Sequence, residues 1–289
     1  MCRLFGMSGG AAPVPATFWL LQAPDSLSQQ SRREPDGTGI GHFDDRGRPV
    51  VDKQPLAAFE DRQFARAARD VTSHTFVAHV RYASNGGLTL PNTHPFSQDG
   101  RLFAHNGVIG DMPRLERELG DARALVHGET DSERFFALIT REVRRSGDVT
   151  AGIIAAAGWV AANLPVLSIN FVLISASELW ALRYPDTHEL LVLQRDAGGS
   201  DGRSGLEHAS ERRIRVSCDT LADRPAVIVA TERMDEDPGW SPLESGELLH
   251  VDSALAVQRQ RVLDGPPAHP LTLADLGQSA AASQQEPVR

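Results

Sequence analysis

A cysteine stands at position 2, directly after the initiator methionine. Cysteine is small enough for an aminopeptidase to remove Met1, and Cys2 would then carry a thiol and a free α-amine. The thiol has an ordinary pKa of about 8.5 and the amine one of about 7.7–8.0, so the amine is a weak base near working pH. It can take the thiol proton and later give it to a leaving amine. Cys2 can therefore combine a nucleophile and its base, although a cysteine at this position alone is more typical of an incidental second residue.

Further residue types suited to amide chemistry follow at wide spacing. The Asn106-Gly107 pair offers a side-chain amide and a backbone N–H as donors to a developing oxyanion, although the same pair is also the usual sequence of a hairpin turn. Arg81 lies in an apolar, strand-like run, and a guanidinium is suited to binding a carboxylate bidentately. Arg81, Asn106 and Asp131 are 25 residues apart, further than one helix or strand reaches. We therefore expect tertiary folding to assemble the site.

Five segments in a fixed order carry a resemblance to a known family. Together they are similar to class II glutamine amidotransferases, which are N-terminal-nucleophile hydrolases. The free-standing single-domain members and the γ-glutamyl hydrolase of ergothioneine biosynthesis are the most similar types. The segments are 1–6 (MCRLFG), 79–84 (HVRYAS), 92–96 (NTHPF), 104–109 (AHNGVI) and 128–133 (GETDSE).

The resemblance implies a reaction and a catalytic set. Cys2 falls at the family nucleophile, which attacks a side-chain amide carbonyl, forms a γ-glutamyl thioester and is released by water. Asn106 and Gly107 fall at the family oxyanion hole. No cofactor is implied.

The resemblance also implies a binding set. Arg81 falls at the position that binds the substrate α-carboxylate, and Asp131 at the position that pairs with the α-ammonium group. Asp131 also suits a helix N-cap, and the two roles are compatible. Tyr82 and Ser84 lie where the family lines the glutamine pocket, and His94 lies in a motif that braces the loop near the nucleophile.

Two positions depart from the pattern of the family. Thr38 stands in the Asp-Gly-x-Gly segment, where the free-standing members usually have an aromatic residue. Arg3 follows the nucleophile, as it does in the free-standing members, whereas the large synthases commonly have a smaller apolar residue. Both indicate that the acceptor side of the pocket differs from the synthase arrangement.

Composition limits the class of protein. Lys and Arg number 29 against 38 Asp and Glu, and the net charge of −9 argues against nucleic acid or an anionic membrane as the partner. No run approaches the roughly 18 apolar residues of a membrane span, and the N-terminus lacks the pattern of a signal peptide. Two cysteines are too few for a disulfide framework. We therefore expect a cytoplasmic protein.

Hydrophobic periodicity predicts helices and many strands. Helices are expected over Phe59–Val71, Met112–Leu119, from an Asp131 or Ser132 N-cap to about Arg145, and over Thr150–Asn163. Short strands dominate the second half, and the turn residues between them favour an antiparallel meander.

The fold class that the resemblance implies is α+β, a four-layer αββα sandwich of two antiparallel sheets. We expect one domain over residues 1–262 and a disordered Pro/Ala/Gln-rich tail over 263–289.

Three alternatives have less support in the sequence. A metalloenzyme would need His79, His94 and His105 to converge, but no HExxH or paired Cys/His spacing accompanies them, so no metal site is expected. A nucleotide-binding loop at Gly37–Gly41 lacks its third glycine, because His42 stands there, and no helix is expected to open at that point. A non-catalytic binding module on this fold has little support, since every reactive group is present.

Two versions of the function stay open. In one, the protein is a hydrolase that cleaves glutamine or a γ-glutamyl amide, with a small molecule as its substrate. In the other, it is a glutaminase subunit that delivers ammonia to a separate synthase partner.

Overall fold

The computed structural model describes residues 2–82, 86–197, 206–209, 215–218, 224–278 and 281. The strands that build the two large sheets lie on both sides of a central helical region. In chain order the strands are β1 (Arg3–Ser8), β2 (Val14–Pro15), β3 (Gly37–Phe43), β4 (Pro49–Gln54), β5 (Thr72–Ser73), β6 (Thr75–Arg81), β7 (Phe96–Gln98), β8 (Arg101–Ile109), β9 (Pro165–Ile174), β10 (Leu179–Arg183), β11 (Leu191–Arg195), β12 (Leu206–Ala209), β13 (Arg215–Cys218), β14 (Ala226–Ala230), β15 (Ser241–Pro242), β16 (Glu247–Val251), β17 (Val257–Arg261) and β18 (His269–Pro270).

The helical segments are α-helices and shorter π-helical or 3-10 turns. The α-helices are α1 (Leu27–Gln30), α2 (Arg62–Asp70), α3 (Met112–Leu119), α4 (Asp131–Ser146) and α5 (Val149–Asn163). A π-helical turn covers Phe18–Gln22, and 3-10 turns cover Leu90–Asn92, Gly120–Leu125 and Leu273–Asp275. None of the helices in the described ranges has the length and apolar character that crossing a membrane requires.

Two large sheets face each other. The first has the order β15-β11-β14-β1-β6-β3-β4, and the second has the order β17-β16-β10-β9-β8-β7. Their neighbours pair antiparallel, and β18 adds one parallel pair to β9. Each sheet combines strands from both halves of the chain. The expected meander is therefore wrong. β14 pairs with β1, and β11 pairs with β14, so these two strands of the second half belong to the first sheet.

Three buried clusters fill the spaces between four layers. One cluster, with Trp19 and Phe64, separates the first sheet from the π-helical turn, α1 and α2. A second, with Leu4 and Val172, lies between the two sheets. A third, with Phe103, separates the second sheet from α3, α4 and α5. This α-β-β-α order is the predicted four-layer sandwich.

The start of α4 differs from the sequence prediction. The N-cap is Thr130, whose hydroxyl accepts the Glu133 N–H at 3.3 Å, and Asp131 is the first helical residue. Asp and Ser are better N-cap residues than Thr on average, so residue preference alone favoured the wrong positions. Capping by Thr130 leaves the Asp131 carboxylate available for contacts outside the helix.

The segment predicted as a disordered tail is described as far as residue 278. Its β18 residues pair with Pro165 and Val166 at the start of β9. The Ala268 N–H donates to Ala161 O at 2.9 Å, and the Leu271 N–H donates to Val166 O at 2.8 Å. These bonds attach the segment to α5 and to the second sheet. The boundary at residue 262 stays a prediction.

The cluster around Phe103 predicts a large stability loss on truncation. Its ring lies 4.8 Å from the Phe136 ring and 5.3 Å from the Phe171 ring, and it is fully buried. We expect Phe103→Ala to lower the free energy of unfolding by about 3–5 kcal/mol, measured by urea denaturation. The same change at Phe59, which is 39% exposed, should cost less than about 1 kcal/mol. Equal losses at the two positions would contradict the described packing.

Buried histidines predict a loss of stability in acid. Burial lowers the pKa of His79 from 6.5 to about 3, so the folded state holds this ring neutral. The unfolded chain binds a proton below about pH 6.5, and stability is therefore lost as the pH falls from about 6.5 toward 3, by up to about 1.4 kcal/mol per pH unit.

Urea denaturation between pH 7 and pH 5 measures this effect. We expect His79→Gln to reduce the pH dependence by about one proton, while the same change at exposed His127 leaves it unaltered. Identical pH profiles for the wild type and His79→Gln would show that His79 is not buried neutral.

Candidate active site

The alternation of side chains along three strands gathers polar groups at one end of the gap between the sheets. Leu4, Val77 and Ala104 belong to the inter-sheet cluster. Successive strand residues point to opposite faces, so residues two or four positions further along lie on the same face. That rule places Cys2, Arg81 and Asn106 on the face that looks into the gap.

Cys2 is held by the main chain at the end of β6. It is 9% exposed, its Sγ accepts the Tyr82 N–H at 3.3 Å, and the thiol donates to Tyr82 O at 3.4 Å. The β1–β6 register pairs Arg3 with Val80, so its continuation sets Cys2 opposite Arg81. Burial raises the pKa of the Cys2 thiol above its ordinary value. A protonated thiol at neutral pH needs a base before it can attack a carbonyl.

Arg81 is a buried cation at the last position of β6. It is 3% exposed, and its Nη1 and Nη2 donate to Gly87 O at 3.1 Å and Gly86 O at 3.3 Å. Burial lowers the pKa of Arg81, whereas the charges of Cys2 and Asp131 raise it. The guanidinium thus lies close enough to both groups for electrostatic interaction. Its hydrogen bonds to Gly86 and Gly87 also anchor the loop that follows β6.

Asp131 is tied to the strand that carries Asn106. Its Oδ2 accepts the Ile109 N–H at 2.8 Å, and its Oδ1 accepts the Ser132 N–H at 2.9 Å. The carboxylate is 5% exposed. The first turn of α4 and the end of β8 are therefore linked by one charged group, which fixes its position relative to Asn106.

The Asn106 side chain is buried without hydrogen-bond partners among the described residues. It lies inside β8 opposite Asn170 of β9 and is fully buried, yet Nδ2 and Oδ1 have no hydrogen-bond partner within the described part of the chain. Asn170 is satisfied: its Nδ2 donates to His188 O at 3.1 Å and its Oδ1 accepts the Tyr184 N–H at 2.9 Å. A buried amide without a partner costs free energy and calls for an explanation, such as a ligand.

Gly107 continues β8, so the alternative of an Asn-Gly hairpin turn is wrong. A Cβ added to Gly107 would lie 1.8 Å from Ser168 O, which no rearrangement of a side chain could relieve. Only glycine allows β8 and β9 to approach this closely here.

The remaining predicted site residues fall in different places. Tyr82 is half-buried, and its main chain contacts Cys2 as described above. Ser84 lies outside the described residues. His94 is 5% exposed, and its ring lies 4.1 Å from the His79 ring and 4.6 Å from the Phe96 ring. Its carbonyl oxygen would lie 2.2 Å from a Cβ at Gly39, so His94 packs directly against β3.

The buried histidines are not arranged as metal ligands. Burial lowers the pKa of His94 well below 6.5, and its ring nitrogens have no partner among the described residues. The His105 Nδ1 lies 2.9 Å from the Ser132 Oγ on the helical side of the second sheet. Within the described ranges, no group of three or more His, Cys, Asp or Glu residues is placed to hold a metal ion.

Sequence reasoning missed a charged cluster beside the nucleophile. Arg3 is fully buried, and its Nη2 lies 2.7 Å from Glu232 Oε1 and 3.9 Å from Glu34 Oε1. Burial raises the pKa of Glu34, and the Glu34 charge is one of the smaller effects that raise the pKa of Cys2. The sequence indicated Arg3, because the large synthases commonly have a smaller apolar residue at that position. No pattern in the sequence around Glu34 indicated a role for it. Thr38 is buried on β3, and its Oγ1 has no partner in the described segments.

An open cavity of about 610 Å³ lies beside Asp131. Gly86, whose carbonyl accepts from Arg81, lines it as well. The far wall comes from the C-terminal segment, through Leu271, Asp275 and Leu276. Asp131 lines this cavity, whereas Cys2, Arg81 and Asn106 are not among its lining residues.

Two solved structures that share this fold are described as amidotransferases. One, described as glutamine phosphoribosylpyrophosphate (PRPP) amidotransferase from B. subtilis, superimposes with a TM-score of 0.61 at 19% identity, over 92% of this chain and 50% of that one. The chain thus spans about half of that enzyme. Another, described as a "predicted glutamine amidotransferase from Pseudomonas aeruginosa", gives a TM-score of 0.59 at 23% identity, over 89% and 99% of the two chains.

Relatives of similar length are known by sequence. The putative glutamine amidotransferase YafJ of Escherichia coli is 28% identical over 86% of this chain and 96% of its own. The gamma-glutamyl-hercynylcysteine sulfoxide hydrolase of Mycolicibacterium smegmatis is 29% identical over 89% and 98%. The family profile described as "Glutamine amidotransferases class-II" matches residues 1–265. The chain belongs to the class II glutamine amidotransferase family.

Proposed function

We propose that this enzyme hydrolyses the side-chain amide of glutamine or of a γ-glutamyl compound through a thioester on Cys2. The observation that carries the proposal is the buried, unpartnered amide of Asn106 on the face that Cys2 shares. A donor that is left unsatisfied in the resting protein is available to an oxyanion in the transition state. Family membership supports the same reaction.

The nucleophile needs a proton acceptor. After removal of Met1, the α-amine of Cys2 takes the thiol proton, and the thiolate attacks the amide carbon of the substrate. The carbonyl oxygen becomes an oxyanion and accepts hydrogen bonds from Asn106 Nδ2 and the Gly107 N–H. The α-ammonium group then protonates the leaving amine, the C–N bond breaks, and a γ-glutamyl thioester remains.

Water completes the cycle. The α-amine takes a proton from water, whose oxygen attacks the thioester carbon and forms a second oxyanion in the same hole. The C–S bond then breaks, the thiolate regains its proton, and the γ-carboxylate of glutamate is released. No cofactor enters either step.

The substrate is held by its amino-acid end. Arg81 binds the α-carboxylate through its guanidinium, and Asp131 pairs with the α-ammonium group. Their mutual electrostatic influence and the Asp131–Ile109 bond support a fixed distance from this end to the oxyanion hole. Tyr82 lines the pocket, and His94 braces β3 beside it.

The substrate beyond the γ-glutamyl group divides the proposal into two versions. A stand-alone hydrolase acting on a γ-glutamyl amide is favoured by the hydrolase from Mycolicibacterium smegmatis, which spans nearly the same length. A glutaminase that supplies ammonia to a partner in the cytoplasm is the second version, favoured by the relatives named as amidotransferases. Turnover of glutamine compared with a panel of γ-glutamyl amides separates them.

The Cys2 thiol is expected to be indispensable for turnover. We expect Cys2→Ala to lower kcat at least about 10³-fold, because no other thiolate attacks the amide. The matched control is Cys218→Ala, which should retain activity within about twofold, and intact-mass analysis should show that Met1 has been removed. Full activity of Cys2→Ala, or activity of a protein that retains Met1, would contradict the mechanism.

Asn106 and Asn170, which face each other in the β8–β9 register, are expected to have opposite roles. We expect Asn106→Ala to lower kcat about 10²–10³-fold while leaving the urea midpoint unchanged or higher, because its amide satisfies nothing in the fold. Asn170→Ala should do the reverse and lose about 1–3 kcal/mol of stability, because it strands the Tyr184 N–H. Loss of stability without loss of kcat at Asn106 would remove it from the oxyanion hole.

A further inference from the structure

Asn92 is a buried side chain that hydrogen-bonds to two separate segments of the site. It is 2% exposed and lies at the end of the 3-10 turn Leu90–Asn92. Its Nδ2 donates to Gly87 O at 3.2 Å and to Glu129 Oε2 at 3.1 Å, and its Oδ1 accepts the Glu129 N–H at 2.8 Å. The amide therefore uses both of its N–H groups and its oxygen to join the loop after β6 to the segment before α4.

Gly87 connects this amide to Arg81. The Gly87 carbonyl oxygen accepts a hydrogen bond from Arg81 Nη1 at 3.1 Å as well as the bond from Asn92. The Gly87 N–H donates to Glu129 Oε2 at 3.4 Å. Because the acceptor of the guanidinium is itself held by the amide, Asn92 restricts the position that Arg81 can take.

Glu129 connects the same amide to Asp131, which lies two residues further along the chain. Asp131 is the first residue of α4, and α4 packs on the second sheet through the cluster around Phe103. Arg81 ends β6, a strand of the first sheet. The two charged groups thus belong to different layers of the fold, and Asn92 joins the segments that carry them.

The turn that carries Asn92 is fixed to the first sheet. Lys53 of β4 donates through Nζ to Thr93 O at 2.6 Å and to Pro95 O at 3.3 Å. Asn92 is therefore anchored on one side before it binds Glu129 on the other, so its hydrogen bonds can define a distance between the two layers.

Glycines on both sides allow the main chain to approach the amide. A Cβ added to Gly128 would lie 2.6 Å from Asn92 Oδ1 and 2.8 Å from Pro91 O. A Cβ added to Gly86 would lie 2.9 Å from Asn92 Nδ2, and the Gly86 φ of +75° also favours glycine. The close fit leaves the amide little room to move.

We propose that Asn92 is a positioning residue that sets the separation between Arg81 and Asp131. The inference rests on the proposed function, in which these two groups hold the α-carboxylate and the α-ammonium of one amino-acid end. Both substrate groups are attached to the same carbon, so the distance between them is fixed. The two binding groups must match that distance at the same time, and the bridge formed by Asn92, Gly87 and Glu129 holds them to it.

Steady-state kinetics of Asn92→Ala test this role, with glutamine or the γ-glutamyl amide that the wild type turns over fastest. We expect KM to rise about 10–100-fold and kcat to change less than about threefold, because the variant loses ground-state binding of the amino-acid end. The matched control is Asn170→Ala, which removes another buried, hydrogen-bonded asparagine and should keep KM within about twofold. A merely structural role for Asn92 would change KM alike in both variants.

Substitutions at the exposed Glu129 test the bridge without removing a buried side chain. Glu129→Ala removes the acceptor of Asn92 Nδ2 and of the Gly87 N–H, and it should raise KM about three- to tenfold. Glu129→Gln keeps a carbonyl oxygen and should keep KM within about twofold of the wild type. Because glutamine has no charge, this rescue separates hydrogen bonding from attraction of the carboxylate to the substrate α-ammonium.

The double variant Asn92→Ala with Glu129→Ala measures whether the two residues act as one unit. Both substitutions break the same hydrogen bonds, so KM should stay within about twofold of that of Asn92→Ala alone. Multiplied effects would show that the two residues act independently. Thermal midpoints confirm that each variant is folded, and if Asn92→Ala is not, the two Glu129 variants decide.

Three results would overturn the role of Asn92: an unchanged KM in Asn92→Ala and Glu129→Ala, equal KM changes in Asn92→Ala and Asn170→Ala, or equal loss in Glu129→Gln and Glu129→Ala. The proposed function is judged separately, on turnover by the wild type and its dependence on Cys2. If the wild type turns over neither glutamine nor a γ-glutamyl amide, the proposed function fails, and calorimetry with glutamine decides the bridge. Binding at least about tenfold weaker in Asn92→Ala than in the wild type would then support the bridge, and equal or absent binding would defeat it.

Discussion

The close face-to-face packing of two sheets is the constraint on which the site depends. Side chains that point into the gap are apolar along most of its length, as at Leu4, Val77 and Ala104. At one end the same faces carry Cys2, Arg81 and Asn106, so polar groups are forced into a buried environment. Burial there raises the pKa of Cys2 and leaves the Asn106 amide without a protein partner. Burying the Asn106 amide without a partner thus destabilises the folded protein by about 1–3 kcal/mol. A bound substrate that hydrogen-bonds to this amide would offset that cost.

Neighbouring elements limit movement of these groups. Tyr82 holds the Cys2 sulfur with its main chain, and Asp131 joins the first turn of α4 to the end of β8. Gly107 permits the approach of β9 that keeps Asn106 within the sheet. Positions fixed in this way need little reorganisation during reaction, which is the condition under which hydrogen-bond donors stabilise a transition state most.

The sequence predicted the helices and the layer order better than it predicted the strand partners. The helices Met112–Leu119 and Asp131–Ser146 follow from hydrophobic periodicity. Membership of a sheet depends on long-range pairing, and this is why β11 and β14 were assigned wrongly to a meander. Strand β8 runs through Asn106 and Gly107 to Ile109, because pairing with β9 overrides the turn preference of Asn-Gly. The Thr130-x-x-Glu133 spacing was a capping signal that could have located the start of α4.

The site residues were predicted from the order of five motifs along the chain and not from hydrophobic periodicity. Cys2, Arg81, Asn106 and Asp131 have no helical or strand periodicity in common, so only the resemblance linked them. Glu34 carried no such signal, because its approach to Arg3 arises from tertiary folding.

The covalent intermediate tests the central claim most directly. Wild-type protein is mixed with glutamine or a γ-glutamyl amide, quenched in acid during turnover, digested, and mapped by mass spectrometry. The account predicts an N-terminal peptide that begins at Cys2 and carries one γ-glutamyl group on sulfur, lost on treatment with hydroxylamine. Turnover with no acyl group on Cys2, or with the group on another residue, would contradict it.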